Sequence, residues 1–261
     1  MFLAVFAIAS CGGGGSSSAP PVGNAPPPNV FDRYSKSDPL IDNSGADDYK
    51  VLLMGNSHAS GLTPVLDELL VLGQPGKTIE VRMASRGGFL DQVVGENEDD
   101  LEGEAWTHVI LQGQRYSTTG VNTYPTNAAE YWVRGSKLQG ATPVMFPEHP
   151  RSGNDWEGQT IWELHKDISV RENTCVAPVG LVWDEVIFRD PTLDLYLPDG
   201  NHASSTGLLL TALVFYPVIT GQPVDSLPDL SSFGIDAAAE QIMKDSVSSL
   251  LFTHPSCEFD Q

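Results

Sequence analysis

Basic residues are scarce in this chain. Its 261 residues include 14 Lys and Arg against 34 Asp and Glu, a formal charge of -20. Such a chain repels phosphate backbones, so nucleic acid is not an expected partner. Cysteine is scarce too, with three in all. None has zinc-type spacing or a clustered His, so no metal and no cofactor is expected. A multi-span membrane domain is missing. The apolar start, residues 1–9, is too short to span a bilayer as a mature helix. No internal repeat is visible, which sets aside solenoids and propellers.

The whole chain is 41% hydrophobic, enough for one sizeable core and one domain once the ends are removed. Residues 1–11, MFLAVFAIASC, read as the apolar core of an export signal. Ile8-Ala9-Ser10-Cys11 resembles the bacterial lipobox, although no Lys or Arg precedes the apolar run. That resemblance implies lipidation at Cys11, a membrane partner through a lipid anchor, and a place in the cell envelope, on the outer membrane or the cell surface. Residues 12–48 open with GGGGSSSAPPVGNAPPPN and are expected to be a flexible tether. Cys175 and Cys257 form an even pair. In an exported protein they are disulfide candidates; two separate buried thiols are the other arrangement.

From residue 49 an alternation begins. Residues 49–55 form a mostly apolar run ending in glycine, suited to a strand buried on both faces. Residues 62–72 carry apolar side chains at helical spacing. Further strands are expected over 78–84, 108–111, 142–146 and 176–182. Helices are expected around 90–101 and over 128–138, 156–171, 204–219 and 235–251. Strands alternating with helices imply parallel strands joined by right-handed crossovers. The expected fold is therefore α/β, a three-layer α/β/α sandwich with about five parallel strands. The main domain covers 49–222, and residues 223–261 add a C-terminal helix and tail packed on it. Sites in such sheets form beyond the carboxyl ends of the strands.

The first strand runs into Gly55-Asn56-Ser57-His58-Ala59. A serine on this turn projects its hydroxyl into the crevice, with its N–H near a helix N-terminus. Both a nucleophile and an oxyanion donor need that geometry. Far along the chain stands Pro198-Asp199-Gly200-Asn201-His202, just before an apolar helix. The spacing lets a carboxylate reach Nδ1 of the imidazole and leaves Nε2 free to take a proton from serine.

Gly55-Asn56-Ser57 resembles the first block of SGNH (GDSL-like) hydrolases, usually Gly-Asp-Ser. Asp199-Gly200-Asn201-His202 resembles their last block. The resemblance covers roughly residues 49–221 and implies a flavodoxin-like sandwich. It also implies Ser57 as nucleophile, His202 as base and Asp199 as the group that orients it. After the second strand, Ser85-Arg86-Gly87-Gly88 matches the place of the family's oxyanion glycine, with Gly88 expected to donate and Gly87 a close second. After the third strand, Gln112-Gly113-Gln114 stands where the family usually has Gly-x-Asn. Gln114 is the best match for that third donor, with Gln112 and Arg115 as neighbours that could serve. His58 is expected to face substrate or a neighbouring loop, and Glu148-His149-Pro150 to line the pocket or form a loop.

The implied activity is hydrolysis of small acyl esters, such as O-acetyl groups on carbohydrate, by a serine esterase. The expected partner is thus an ester, including acylated glycans. O-acyl transfer to a glycan uses the same residues. A non-catalytic glycan-binding surface module is the reading from another class.

Overall fold

The structure is a computed structural model that describes residues 30–119 and 121–259. Five parallel strands form its sheet: β1 (Tyr49–Met54), β2 (Ile79–Met83), β3 (His108–Gln112), β4 (Thr142–Phe146) and β5 (Cys175–Val176). They lie in the order β2-β1-β3-β4-β5. The helices are α1 (Leu62–Gly73), α2 (Glu98–Glu102), α3 (Asn127–Leu138), α4 (Glu157–Arg171), α5 (Val179–Arg189), α6 (Ser205–Thr220) and α7 (Ala237–Thr253).

β1 explains the layering. Successive side chains of a strand point to opposite faces. Val51 and Leu53 enter one core with Leu62, Leu66 and Leu69 of α1 and Leu210 of α6. Leu52 and Met54 enter the other with Ala129 and Trp132 of α3. All four strand side chains are fully buried, each contributing roughly 1.5–3 kcal/mol. An apolar strand without alternation thus becomes the middle layer of an α/β/α sandwich. α6 is apolar nearly all round because it is buried between α1, α5 and α7. Ser204 starts it by accepting the Gly207 N–H at 3.2 Å, and Gly221, at φ 65°, ends it.

Three expectations needed correction. The fifth strand, expected over 176–182, keeps only Cys175–Val176, and α5 follows at once. Pro178 has no N–H for a ladder and stands at the helix start. Behind it Val179, Val182, Trp183 and Val186 bury one helical face. The helix expected around 90–101 is only the short α2, preceded by turns that bury Leu90 and Val93. The tether expected to reach residue 48 is docked from residue 31 onward. Tyr34 is buried and donates to Glu102 at 2.6 Å. The Asn43 amide donates to the carbonyls of Thr107 and Gly140, both at 2.9 Å. Cys11 and residues 12–29 lie outside the described residues.

A disulfide joins Cys175 of β5 to Cys257 of the tail. The Val176 N–H donates to Ser256 at 2.7 Å beside it. Met243 and Val247 of α7 enter the same core as α6. No helix among the described residues is long and apolar enough to cross a membrane.

Candidate active site

The chain leaves β1 for β2 on one side of it, then crosses to β3 on the other. The carboxyl ends of β1 and β3 therefore border a crevice where the winding direction changes. Gly55 opens the loop after β1. A Cβ there would lie 2.4 Å from Oε1 of Gln112 and 2.9 Å from the Ala59 side chain, so the close packing of the two strand ends requires glycine. The Asn56 N–H donates to Gln112 Oε1 at 2.8 Å, and Asn56 Oδ1 accepts the His58 N–H at 3.0 Å. Ser57, held between these two, is exposed.

Asp199 and His202 arrive on a turn before α6. Oδ1 of Asp199 accepts the N–H groups of Asn201 at 2.9 Å and His202 at 3.0 Å. Gly200, at φ 66°, makes the turn, and the Leu197 N–H donates to the His202 carbonyl at 2.8 Å. This folds the imidazole back onto the carboxylate. His202 Nδ1 lies 2.6 Å from Asp199 Oδ2, and His202 Nε2 lies 2.9 Å from Ser57 Oγ. An ionised carboxylate only accepts, so Nδ1 carries the proton and Nε2 presents its lone pair to the serine hydroxyl. The backbone N–H of His202, its imidazole and the N–H of Asn201 hold the Asp199 carboxyl well below the usual range. It stays ionised throughout ordinary working pH.

Behind Ser57 lies a second polar group. Glu148, just past β4, accepts from the Gln112 amide at 2.6 Å and from Tyr116 OH at 3.1 Å, and it contacts His58 Nδ1 at 3.2 Å. Tyr116 OH also reaches Glu157 at 3.0 Å. His58 Nε2 lies 3.0 Å from the Asn201 amide, and its ring meets the His202 ring edge-on. Burial alone would lower the pKa of His58, but the Glu148 carboxylate outweighs it and the net shift is upward. Burial alone would raise Glu148, but His58 outweighs it and the net shift is downward. Each group thus favours the charged form of the other. His149, stacked on the buried Trp183 with ring centres 4.0 Å apart, is pushed down to about 4, first by burial and then by His58.

Two of the expected oxyanion donors, Gly88 and Gln114, are otherwise engaged. The Gly88 N–H donates to the Gly55 carbonyl at 3.0 Å. The Gln114 amide donates to the carbonyls of Arg115 at 2.9 Å and Pro125 at 3.2 Å. Gly113, at φ 98°, turns the chain so that Gln114 enters the 115–125 loop. Gln112 is committed to Asn56 and Glu148. Among the described residues, the N–H groups of Ser57 and Gly87 and the Asn56 side-chain NH2 have no hydrogen-bond acceptor. Gly87 is the alternative glycine, and Asn56 was not expected as a donor.

The site opens into a cavity of about 290 Å³ lined by Ser57, His58, Arg115, Tyr116, Tyr124 and Arg151, among others. Glu148 and Tyr116 both line this cavity, and Glu148 is the expected pocket-lining residue after β4. The signal for Glu148 was its position directly after a strand, at the same sheet edge. Among the described residues, no group of three or more His, Cys, Asp or Glu side chains is arranged to hold a metal ion.

No protein-family profile matches the chain, and no curated protein matches it. Solved structures do. A DUF4886 family protein from Bacteroides uniformis aligns over 82% of this chain and 98% of its own, at 16% identity and a TM-score of 0.66. A protein described as a candidate SGNH hydrolase from Slackia heliotrinireducens aligns over 64% of this chain and 97% of its own, at 24% identity and a TM-score of 0.50. At these identities the likeness concerns the fold alone, which in this chain is a five-stranded parallel α/β/α sandwich.

Proposed function

We propose that this protein is a serine esterase of the SGNH kind that hydrolyses small acyl esters, including O-acetyl groups on carbohydrate. One observation carries the reading: Ser57 Oγ, His202 Nε2, His202 Nδ1 and Asp199 Oδ2 form a continuous chain of contacts of 2.9 and 2.6 Å at the sheet edge. A module that only bound glycan would have no use for that proton path.

Ser57 Oγ attacks the ester carbonyl while His202 Nε2 takes its proton. The carbonyl oxygen becomes an oxyanion, and the Asp199 carboxylate stabilises the imidazolium that forms. The unengaged N–H groups of Ser57 and Gly87, with the Asn56 amide, serve as oxyanion donors. The tetrahedral adduct collapses, and His202 hands its proton to the departing alkoxide. The neutral imidazole then activates water against the acyl-enzyme, and the second collapse returns the proton to Ser57. The open position of Ser57 and the half-exposed Asp199 favour water as acceptor over a second hydroxyl compound. The modest cavity favours a short acyl group.

The test is turnover of 4-nitrophenyl acetate. Ser57→Ala and His202→Ala are each expected to lower kcat by about a thousandfold or more. Rates equal to wild type in both variants end the proposal. We further propose that Cys11 is lipidated and anchors the protein in the cell envelope. The Cys175–Cys257 disulfide supports an oxidising compartment.

A further inference from the structure

The cavity beside Ser57 is charged unlike the chain around it. Acidic residues outnumber basic ones 34 to 14, yet Arg115 and Arg151 both line this one cavity. Arg115 is fixed in place. Its Nε lies 3.0 Å from both carboxylate oxygens of Asp91, and its guanidinium carbon sits 4.0 Å from the Phe89 ring centre. Its two terminal nitrogens have no acceptor among the described residues. Arg151 is anchored by its backbone, whose N–H donates to Glu157 at 2.7 Å. Its exposed guanidinium has no carboxylate within ion-pair distance among the described residues. Of the acidic groups nearby, Glu148 is committed to His58, Gln112 and Tyr116, Glu157 to Tyr116 and the Arg151 N–H, and Asp91 to Arg115. Asp155 and Asp184 line a second cavity on the other side of Arg151, neither within ion-pair distance of it.

A free guanidinium on a rigid backbone, beside an exposed nucleophile, has no structural task here. Its planar fork of donors matches a carboxylate, which it binds through two parallel hydrogen bonds. We propose that Arg151, assisted by Arg115, forms an anion site next to Ser57 that selects esters bearing a carboxylate close to the scissile bond. This rests on the esterase reading above. The carboxylate sits either on the alcohol part, as in an acylated acidic sugar, or on the acyl part, as in the half-ester of a dicarboxylic acid.

Two matched pairs of substrates separate these sources. For the alcohol side, 4-acetoxybenzoate is compared with its neutral methyl ester. For the acyl side, mono-4-nitrophenyl succinate is compared with 4-nitrophenyl butyrate. In one pair the wild-type protein is expected to favour the anion by about tenfold or more in kcat/KM, as one charge-assisted contact provides. Arg151→Ala is expected to bring that ratio close to one, and Arg151→Lys to restore part of it. A wild-type ratio near one in both pairs, or a ratio untouched by Arg151→Ala, overturns the proposal. Calorimetric binding to Ser57→Ala protein decides the matter without turnover. There, tighter binding of an anion than of its neutral partner, lost when Arg151→Ala is added, supports the site, and equal binding overturns it. If wild type hydrolyses nothing, the esterase reading fails by itself while the binding comparison still judges the anion site.

Discussion

Asp199→Asn isolates the role assigned to the carboxylate. The asparagine carbonyl can keep accepting the N–H groups of Asn201 and His202, so the turn before α6 survives. The other end of the side chain changes from acceptor to donor. At 2.6 Å it faces His202 Nδ1, which must then offer a lone pair. The ring proton moves to Nε2, where it points at Ser57 Oγ 2.9 Å away. In that tautomer His202 donates to the serine and has no means of taking its proton. The expected loss is about 10⁴ in kcat, or about 5 kcal/mol of transition-state stabilisation. Because Asp199 is half-exposed and its turn contacts persist, Tm is expected to move by about 2 °C or less. Stopped-flow or steady-state turnover of 4-nitrophenyl acetate, with a melting curve on the same protein, provides both numbers. A variant that keeps kcat within about tenfold of wild type, with Tm unchanged, refutes the proton path drawn through His202.

Three further outcomes follow from particular contacts. The disulfide spans 82 residues, so Cys257→Ser is expected to lower unfolding free energy by about 4–5 kcal/mol in urea titrations; non-reducing peptide mapping that finds both thiols free contradicts it. Burial, with the charges of Asp155 and Glu157, pushes Asp184 up to about 7. A raised carboxyl contributes stability below its unfolded pKa and loses it as pH rises through about 7. Asp184→Asn is therefore expected to be neutral near pH 4 and to stabilise by about 1–2 kcal/mol at pH 8, allowing for solvent screening; the same ΔΔG at both pH values excludes this. Gln114→Ala is expected to leave kcat within about threefold of wild type, since its amide serves the 115–125 loop; a loss of about a hundredfold makes it an oxyanion donor after all.

Much of the fold was legible because its signals are local. β1 is apolar at every core position, and the alternation of such runs with helical spacing imposes the parallel sheet. The meeting of Ser57, Asp199 and His202 is legible because each sits in a short block whose turn geometry follows from its own residues. Some of the differences depend on partners distant in sequence and others on loop contacts or a local signal outweighed by an apolar run. Gly88 and Gln114 have the right chemistry, but the Gly88 N–H meets the Gly55 carbonyl from another strand end, and the Gln114 amide turns onto the carbonyls of Arg115 and Pro125 in its own loop. The sequence leaves Glu148 as either a pocket-lining or a loop residue, and its contact with His58 becomes visible only once β1 and β4 lie in one sheet. α5 was hidden inside an apolar run, although Pro178 and the spacing of Val179, Val182, Trp183 and Val186 already marked a helix. The docked residues before β1 carry few apolar side chains; Tyr34, Leu40 and the amide of Asn43 hold them together with hydrogen bonds from Arg134, Lys137 and Thr142.

The central claim is that Ser57 is a nucleophile activated by His202. A fluorophosphonate probe reads this directly, because stable phosphonylation requires an activated hydroxyl beside oxyanion donors. Incubation of the intact protein followed by peptide mass mapping is expected to place the adduct on Ser57, with labelling lost in Ser57→Ala and slowed by about a hundredfold or more in His202→Ala. Absence of any adduct on Ser57 under conditions that label a known serine esterase, or equal labelling of wild type and Ser57→Ala, contradicts the account.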